Sequence, residues 1–186
     1  MKKLGLWLLL LTMLSGCSEN PKEMEEGLAL RTRLLNASSF VFDSDVTADY
    51  GDELHQFSVS CRADREGNVD FTVSAPETIA GITGNITDDG GKLTFDDTAL
   101  HFELLNDGQL SPVSAPWVLV KTLRSGYLTA ACQEEGGLRL TVDDSYEDDA
   151  LTLDIWLDEQ NMPKRAEILC DGRRILTLTV KNPVLS

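Results

Sequence analysis

Two histidines, His55 and His101, are the residues of this sequence best suited to acid–base or nucleophilic chemistry. A hydrolytic triad needs a histidine within hydrogen-bonding reach of a serine or cysteine nucleophile. His55 stands at the rim of an apolar strand face, and His101 alternates with Leu100 and Phe102, which directs its side chain to solvent. Two histidines without paired cysteines also do not form a structural zinc site. The pattern predicts structural histidines in a protein that is not an enzyme and carries no cofactor.

Clusters of carboxylates are the second group of residues that could have a chemical function, since calcium binds several hard oxygen ligands. They recur along the chain as Asp88-Asp89, Asp96-Asp97, Asp143-Asp144 and Glu147-Asp148-Asp149. An EF-hand loop beginning at Asp143 would need glycine at its sixth position, where Asp148 stands. The carboxylate pairs of glycosidases meet in space rather than in sequence, and spacing selects no pair here. We interpret the clusters as solvated turns that hold no metal.

The N-terminus has the layout of an export signal. Lys2 and Lys3 precede an apolar run over residues 4–14, and Ser15 and Gly16 supply small residues immediately before Cys17. The apolar run is shorter than the roughly 20 residues that a membrane-spanning helix needs. We therefore interpret residues 1–16 as a removable signal peptide.

The motif Leu14-Ser15-Gly16-Cys17 resembles the bacterial lipobox. That resemblance implies that Cys17 is acylated with diacylglycerol and palmitate and that the chain is cut in front of it. Several acyl chains on one residue give stable membrane attachment. We expect a lipidated tether over residues 17–21 and a single domain over residues 22–186, anchored on the extracytoplasmic side of a cell membrane. The alternative is an ordinary secretory signal followed by a chance cysteine.

Three further cysteines, Cys61, Cys132 and Cys170, form an odd set without CxxC spacing, so at most one disulfide can join two of them. Each lies in a segment of alternating apolar residues, where a free cysteine behaves as a small hydrophobe. We predict buried structural residues rather than redox or metal chemistry.

The charge balance limits the partners of the domain. The chain has 31 acidic and 16 basic residues, and the signal peptide removes two of the basic ones. Such a surface repels phosphate backbones and anionic headgroups. The sequence therefore predicts no nucleic-acid partner and no second, electrostatic mode of membrane binding.

The periodicity of the chain predicts one helix followed by a sheet. Residues 22–36 have apolar residues at helical spacing, with Asn20 as a possible cap and Pro21 at the first helical position. From Phe40 onward the period is two, and turns rich in Asp, Gly and Asn separate the strands. Phe57, Val59 and Cys61 share one strand face, which predicts a sheet with one dry and one wet side.

Two apolar inserts interrupt the strands. Residues 76–83 contain Ile79 and Ile82 and are interpreted as a helical turn or an apolar loop. Residues 114–126 predict a short helix that Pro116 starts and Gly126 ends, with Trp117 and Val118 among its apolar residues. Both inserts carry more apolar surface than a connector needs, so we expect them to cover the dry face of the sheet.

The order of elements, the motif Pro76-x-x-Ile79-x-Gly81-Ile82, the helix at Pro116 and the Asp171-Gly172 hairpin resemble the LolA/LolB lipoprotein-carrier superfamily. The resemblance covers nearly all of residues 22–186. It implies an α+β fold with a strongly curved antiparallel sheet, an incomplete β-barrel, whose apolar face is covered by short helices. It also implies an apolar cavity that binds acyl chains beneath those helices.

We therefore expect a lipid or another apolar ligand in the concave face of the sheet, contacted by Ile79, Ile82, Trp117 and Val118. The alternative is an extracytoplasmic module with a packed interior that binds an envelope protein through an exposed apolar patch. Trp156, on the polar side of its strand, is interpreted either as a protein contact or as an edge residue covered by a loop.

Overall fold

In the computed structural model, which describes residues 21–96, 98–102, 105–106, 109–147 and 150–186, two helices accompany a large sheet. Helix α1 is Pro21–Asn36, helix α2 is Ala115–Ser125, and a short 3-10 turn, Pro112–Ser114, precedes α2. The strands are β1 Phe40–Asp49, β2 Leu54–Ala63, β3 Val69–Ala75, β4 Thr83–Thr87, β5 Gly90–Phe95, β6 Thr98–Phe102, β7 Leu105–Asn106, β8 Gln109–Leu110, β9 Tyr127–Glu134, β10 Gly137–Asp143, β11 Thr152–Leu157, β12 Pro163–Cys170 and β13 Arg173–Leu185.

Helix α1 packs one face against the sheet. Its buried residues Gly27, Leu30 and Leu34 recur at helical spacing and lie on that face. A Cβ atom on Gly27 would come within 3.0 Å of side-chain atoms of both Leu128 and Leu140, so glycine permits a close approach to β9 and β10. None of the described helices is long and apolar enough to span a membrane.

The sheet has eleven antiparallel strands in the order β6-β5-β4-β3-β2-β1-β13-β12-β11-β10-β9. The first and last strands of the chain pair in its middle, where Val46 lies opposite Leu178. Strands β6 and β9 are its two edges, so the sheet curls without closing. The predicted fold class, an incomplete antiparallel barrel with short helices on its apolar face, is confirmed.

The two faces of the sheet follow the predicted alternation. Phe42, Val59, Phe71, Ile155 and Leu178 are buried on the concave face, which the helices cover. Their strand neighbours point outward and are mostly polar, with Val41 on β1 and Trp156 on β11 as exceptions. The concave side therefore holds the core, and the outer side is the wet face.

The chain between β3 and β5 differs from the sequence prediction. Residues 76–82 form turns and no helix, and Thr83 then begins strand β4, which the sequence did not predict. The turn that follows β4 consists of Asp88 and Asp89, and Gly90 and Gly91 already belong to β5. Glycine indicates a turn in most contexts, whereas here Gly91 lies inside a strand, beneath the ring of Phe102.

The tight turn between β2 and β3 is held by one carboxylate. Asp64 Oδ1 accepts hydrogen bonds from the backbone N–H groups of Gly67, at 2.8 Å, and of Asn68, at 2.9 Å. Burial acts to raise the pKa of the Asp64 carboxyl, but these bonds and one from the Asn68 side chain outweigh it and hold the pKa below the ordinary value.

Candidate functional site: the concave face and the outer groove

Beneath helix α2 the concave face is filled by side chains. Helix α2 packs against α1 and against strands β2, β10 and β13. Trp117 and Val118, two of the predicted ligand contacts, are only 6% and 4% exposed and belong to the continuous core. These two residues are therefore part of the packing that holds α2 in place.

Two hydroxyl groups lie inside this filled region. The Ser44 side chain on β1 and the Thr122 side chain on α2 are each 1% exposed. Within the described part of the chain, neither Ser44 Oγ nor Thr122 Oγ1 has a hydrogen-bond partner. A buried hydroxyl without a partner costs about 1–3 kcal/mol, so these groups lower the stability of the interior.

The hairpin of β5 and β6 extends the concave face beyond the filled region. Leu93 pairs with Leu100, Gly91 pairs with Phe102, and Phe95 shares the face of Leu93. Phe95 is 52% exposed and Leu100 is 62% exposed, whereas Leu93 and Phe102 are half-buried against the core. We call the surface formed by Leu93, Phe95, Leu100 and Phe102 the open apolar area. It is continuous with the core, and neither described helix covers it.

Two phenylalanine rings lie directly on glycines of neighbouring strands in this half of the sheet. A Cβ atom on Gly84 would lie 2.4 Å from Phe71 Cζ, and one on Gly91 would lie 2.1 Å from Phe102 Cζ. Such separations are far below van der Waals contact, so only glycine fits beneath each ring. The rings replace the side chains that the glycines lack, and in this way β4 and β5 remain packed without side chains at these positions.

Ile79 and Ile82, the other predicted ligand contacts, lie at one end of the open apolar area. Ile82 directly precedes Thr83, which pairs with Thr94 beside Phe95. Both isoleucines are half-buried and pack against the core. The structure thus separates the four predicted contacts into a buried pair on α2 and a half-exposed pair near the mouth of the concave face.

The predicted lipidation residue, Cys17, lies outside the described residues, as do the signal peptide of residues 1–16 and the tether up to Asn20. Asp97, Asp148 and Asp149 of the acidic clusters are also outside them. Asp88 forms an ion pair with Lys121 at 3.1 Å, and Asp143 accepts a hydrogen bond from the Thr152 hydroxyl at 2.7 Å.

Other titratable side chains occupy unremarkable surroundings. His55 lies 3.2 Å from a Glu53 carboxylate oxygen at the exposed start of β2, and His101 is exposed on the outer face. Burial, together with the nearby charge of Asp43, raises the pKa of the Cys61 thiol above its ordinary value. Among the residues that the structure describes, no group of three or more His, Cys, Asp or Glu side chains is arranged to hold a metal ion.

Trp156 lies on the outer face in a central strand, so the prediction of an edge position is wrong while the predicted face is correct. Its indole Nε1–H donates to Glu134 at 3.0 Å, and the Arg165 guanidinium lies 4.9 Å from the ring centroid. Neighbouring Arg139 pairs with Glu134 at 2.8 Å and with Asp154 at 3.4 Å. The outer face of this half is thus covered by interactions among its own side chains.

The outer face of the other half is a groove. Register places Arg62, Asp70, Asn85, Lys92 and His101 in one line across strands β2 to β6. Two adjoining cavities of about 550 Å³ each follow this line and share Asn85 and Lys92. We call this feature the outer groove. A twisted sheet is saddle-shaped, which explains how it can be hollow on its outer side as well.

No family model and no curated protein sequence matches this chain. Solved structures of similar shape include an uncharacterized conserved protein from Thermus thermophilus, with 12% identity, a TM-score of 0.48 and coverage of 88% of this chain and 87% of that chain. A LolA superfamily protein from Nitrosomonas europaea is also similar, with 9% identity, a TM-score of 0.46 and coverage of 86% and 93%. The Mycobacterium tuberculosis lipoprotein LppX has 12% identity, a TM-score of 0.41 and coverage of 87% and 93%.

The resemblance to LolA superfamily proteins that the sequence predicts is therefore also found among solved structures. At 9% identity this likeness concerns the fold alone.

The sequence pattern did not identify Leu93, Phe95 and Leu100 as site residues. The signal was present, because apolar residues alternate on two consecutive strand segments, at 93 and 95 and again at 100 and 102. What the alternation lacks is any indication that nothing covers their face, which depends on where α1 and α2 pack.

Proposed function

We propose that this chain is a lipid-anchored protein of the cell envelope that holds an apolar, lipid-like ligand against the open apolar area. The observation that carries the proposal is the exposure of Phe95 and Leu100 on the concave face, next to a packed core. Large apolar side chains that are exposed next to one another form an apolar patch, and such patches often mark binding surfaces. Ile79 and Ile82 border the area and are included in the proposed contact, while Trp117 and Val118 are buried in the core.

The energetics suit an acyl chain. Burying a Phe or Leu side chain completely is worth about 1.5–3 kcal/mol, and each methylene of the ligand adds about 0.8 kcal/mol. Phe95 and Leu100 still have about half of that burial to gain. Together these gains amount to about 1.5–3 kcal/mol, so roughly six to eight buried ligand methylenes are needed to reach the roughly 8 kcal/mol of a micromolar complex, before the entropy cost of association.

The ligand is tested by photocrosslinking of the purified lipoprotein with a diazirine-bearing fatty acid, followed by peptide mapping. We expect labels on residues 79–102, and about tenfold less labelling in a Phe95→Thr, Leu100→Thr variant, since threonine keeps the strand but removes apolar surface. The matched control is Leu54→Thr, because Leu54 is 63% exposed but lies on the outer side of β2.

An equal loss of labelling in the Leu54 variant, or labels distributed over the whole surface, would contradict a ligand at the open apolar area. The second candidate function would then account better for the structure. It is a protein-interaction module, and the filled interior beneath α2 favours it.

The membrane anchor is tested separately. The sequence Leu14-Ser15-Gly16-Cys17 supports acylation of Cys17, and α1 begins at Pro21, a short tether away. We expect Cys17→Ala to shift the protein from the membrane fraction to the soluble fraction or to leave uncleaved precursor, as measured by fractionation and intact mass. Cleavage and membrane retention equal to the unchanged protein would refute the anchor.

A further inference from the structure

The basic residues on the two halves of the outer face differ in whether they form ion pairs. In the half formed by β10 to β13, Arg139, Arg165, Arg174 and Lys181 each pair with a carboxylate. In the outer groove, Arg62 and Lys92 make no ion pair or side-chain hydrogen bond with any described residue. A chain with 31 acidic residues thus keeps two cations unneutralised in the same hollow.

The remaining lining of the groove offers hydroxyl, amide and carboxylate groups. Ser60, Thr72, Thr83 and Thr94 form a second line next to the first, in register across β2 to β5. Asn85 Nδ2 donates to Asp70 Oδ1 at 2.7 Å, which fixes the carboxylate between the two cations. The groove therefore presents donors and acceptors in alternation, with Arg62 at one end and Lys92 where the two cavities join.

We propose that the outer groove binds a carboxylate-bearing glycan. The unpaired cations are suited to its negative groups, since guanidinium and ammonium groups form strong charge-assisted hydrogen bonds to carboxylates. The threonine hydroxyls, the Asn85 amide and the Asp70 carboxylate are suited to sugar hydroxyls, which both donate and accept. A bare phosphate chain fits less well because it offers Asp70 no donor and repels its charge.

The dimensions indicate an extended ligand. Arg62 on β2 and Lys92 on β5 are three strand spacings apart, about 14 Å at roughly 4.8 Å per spacing. The two cavities of about 550 Å³ lie in the size range of small-molecule sites, and they join at Asn85 and Lys92. The groove thus suits several consecutive sugar rings, laid across the strands, and not a single monosaccharide.

The test is calorimetric titration of the purified lipoprotein with a defined oligogalacturonate, a malto-oligosaccharide of the same length and inorganic polyphosphate. We expect saturable oligogalacturonate binding that weakens as salt is raised, and at least tenfold weaker binding of the uncharged oligosaccharide. Arg62→Gln and Lys92→Gln should each reduce oligogalacturonate affinity about tenfold. Arg65→Gln is the control, since Arg65 is also exposed but lies outside the groove, and it should have no effect.

The Asp70→Ala variant distinguishes specific glycan binding from nonspecific attraction of anions. Asp70→Ala should weaken oligogalacturonate binding, because sugar hydroxyls lose an acceptor, and should strengthen polyphosphate binding, because a repulsive charge is removed. The proposal is overturned by no oligogalacturonate binding, by binding that Arg62→Gln and Lys92→Gln leave unchanged, or by tighter oligogalacturonate binding in Asp70→Ala. Arg62, Asp70 and Lys92 lie on the outer face, whereas Phe95 and Leu100 lie on the concave face. Of the four residues of the open apolar area, Phe102 also lines the groove.

Discussion

Replacing Gly91 with alanine tests the packing of Phe102 on β5. The new Cβ atom would lie 2.1, 2.3 and 2.7 Å from three atoms of the Phe102 ring, so the ring has to swing away. Overpacking of this kind costs about 1–3 kcal/mol, whereas the loss of glycine freedom in the unfolded chain returns about 0.4–1 kcal/mol. We expect a net destabilisation of about 1–2 kcal/mol.

The measurement is urea denaturation of the purified protein, with thermal unfolding as a second readout. A loss of 1 kcal/mol corresponds to about 2–4 °C for a chain of this length. Gly136→Ala is the matched control, because a Cβ atom there meets nothing within 4 Å and its φ lies outside the left-handed region. It should be neutral or slightly stabilising.

The equivalent change at Gly84 should cost more than the change at Gly91. A Cβ atom there would approach the ring of Phe71, which is fully buried, and the Lys92 backbone oxygen at 2.9 Å. In Gly91→Ala, by contrast, the half-buried Phe102 ring can move toward solvent. Combining Gly91→Ala with Phe102→Ala should remove most of the penalty of the first change, as a double-mutant cycle would record. Equal stabilities of the Gly91 and Gly136 variants, without such coupling, would refute the packing argument.

Three further predictions concern the core and one turn. Ser44→Ala should stabilise the protein by about 0.5–1 kcal/mol in denaturant titrations because it removes a buried hydroxyl without a described partner; a destabilised variant would indicate a hidden partner. Ile155→Ala, at a fully buried position, should lower the free energy of unfolding by about 2–5 kcal/mol, whereas Thr72→Ala, on the outer face, should lower it by about 0.5 kcal/mol or less. Similar losses in the two variants would mean that both faces are covered. The lowered pKa of Asp64 contributes stability that is present above the ordinary value of 3.8 and is lost as pH falls below it. Asp64→Ala should therefore make the free energy of unfolding less dependent on pH below about 4. An unchanged pH profile would contradict this.

The alternation of apolar residues predicts most of the sheet correctly because a strand with one buried face imposes a period of two on its own sequence. The pairs at 57 and 59, 71 and 73, and 153 and 155 needed no knowledge of their neighbours. Helix α2 was predictable for a similar local reason, since Pro116 lies in its first turn and Gly126 follows its last residue.

Strand β4 was not predictable in this way. Gly84 and Gly91 are turn signals when they are considered locally, and only the rings of Phe71 and Phe102, contributed by other strands, give them a role inside the sheet. The filled interior beneath α2 was equally hidden. Whether Trp117 and Val118 line a cavity or fill it depends on the summed volumes of facing side chains, which no single segment contains.

The residues of the candidate site likewise differ in how far the sequence alone predicts them. Ile79 and Ile82 were recognisable as apolar residues in excess of what a connector needs, whereas the exposure of Phe95 and Leu100 follows from tertiary packing. The outer groove needed the strand register as well, since Arg62, Asp70 and Lys92 lie far apart in sequence and adjoin only through β2 to β5.

The pairing of β1 with β13 in the middle of the sheet has a kinetic consequence. Ser38 and Ser186, 148 residues apart, are joined by a hydrogen bond at one end of this seam. Contacts of such sequence separation slow folding, because the entropy of closing the loop is lost before the contact forms. Until β13 arrives, β1 presents an unpaired edge, which is a template for aggregation. The chain therefore stays vulnerable to misassembly until β13 pairs with β1.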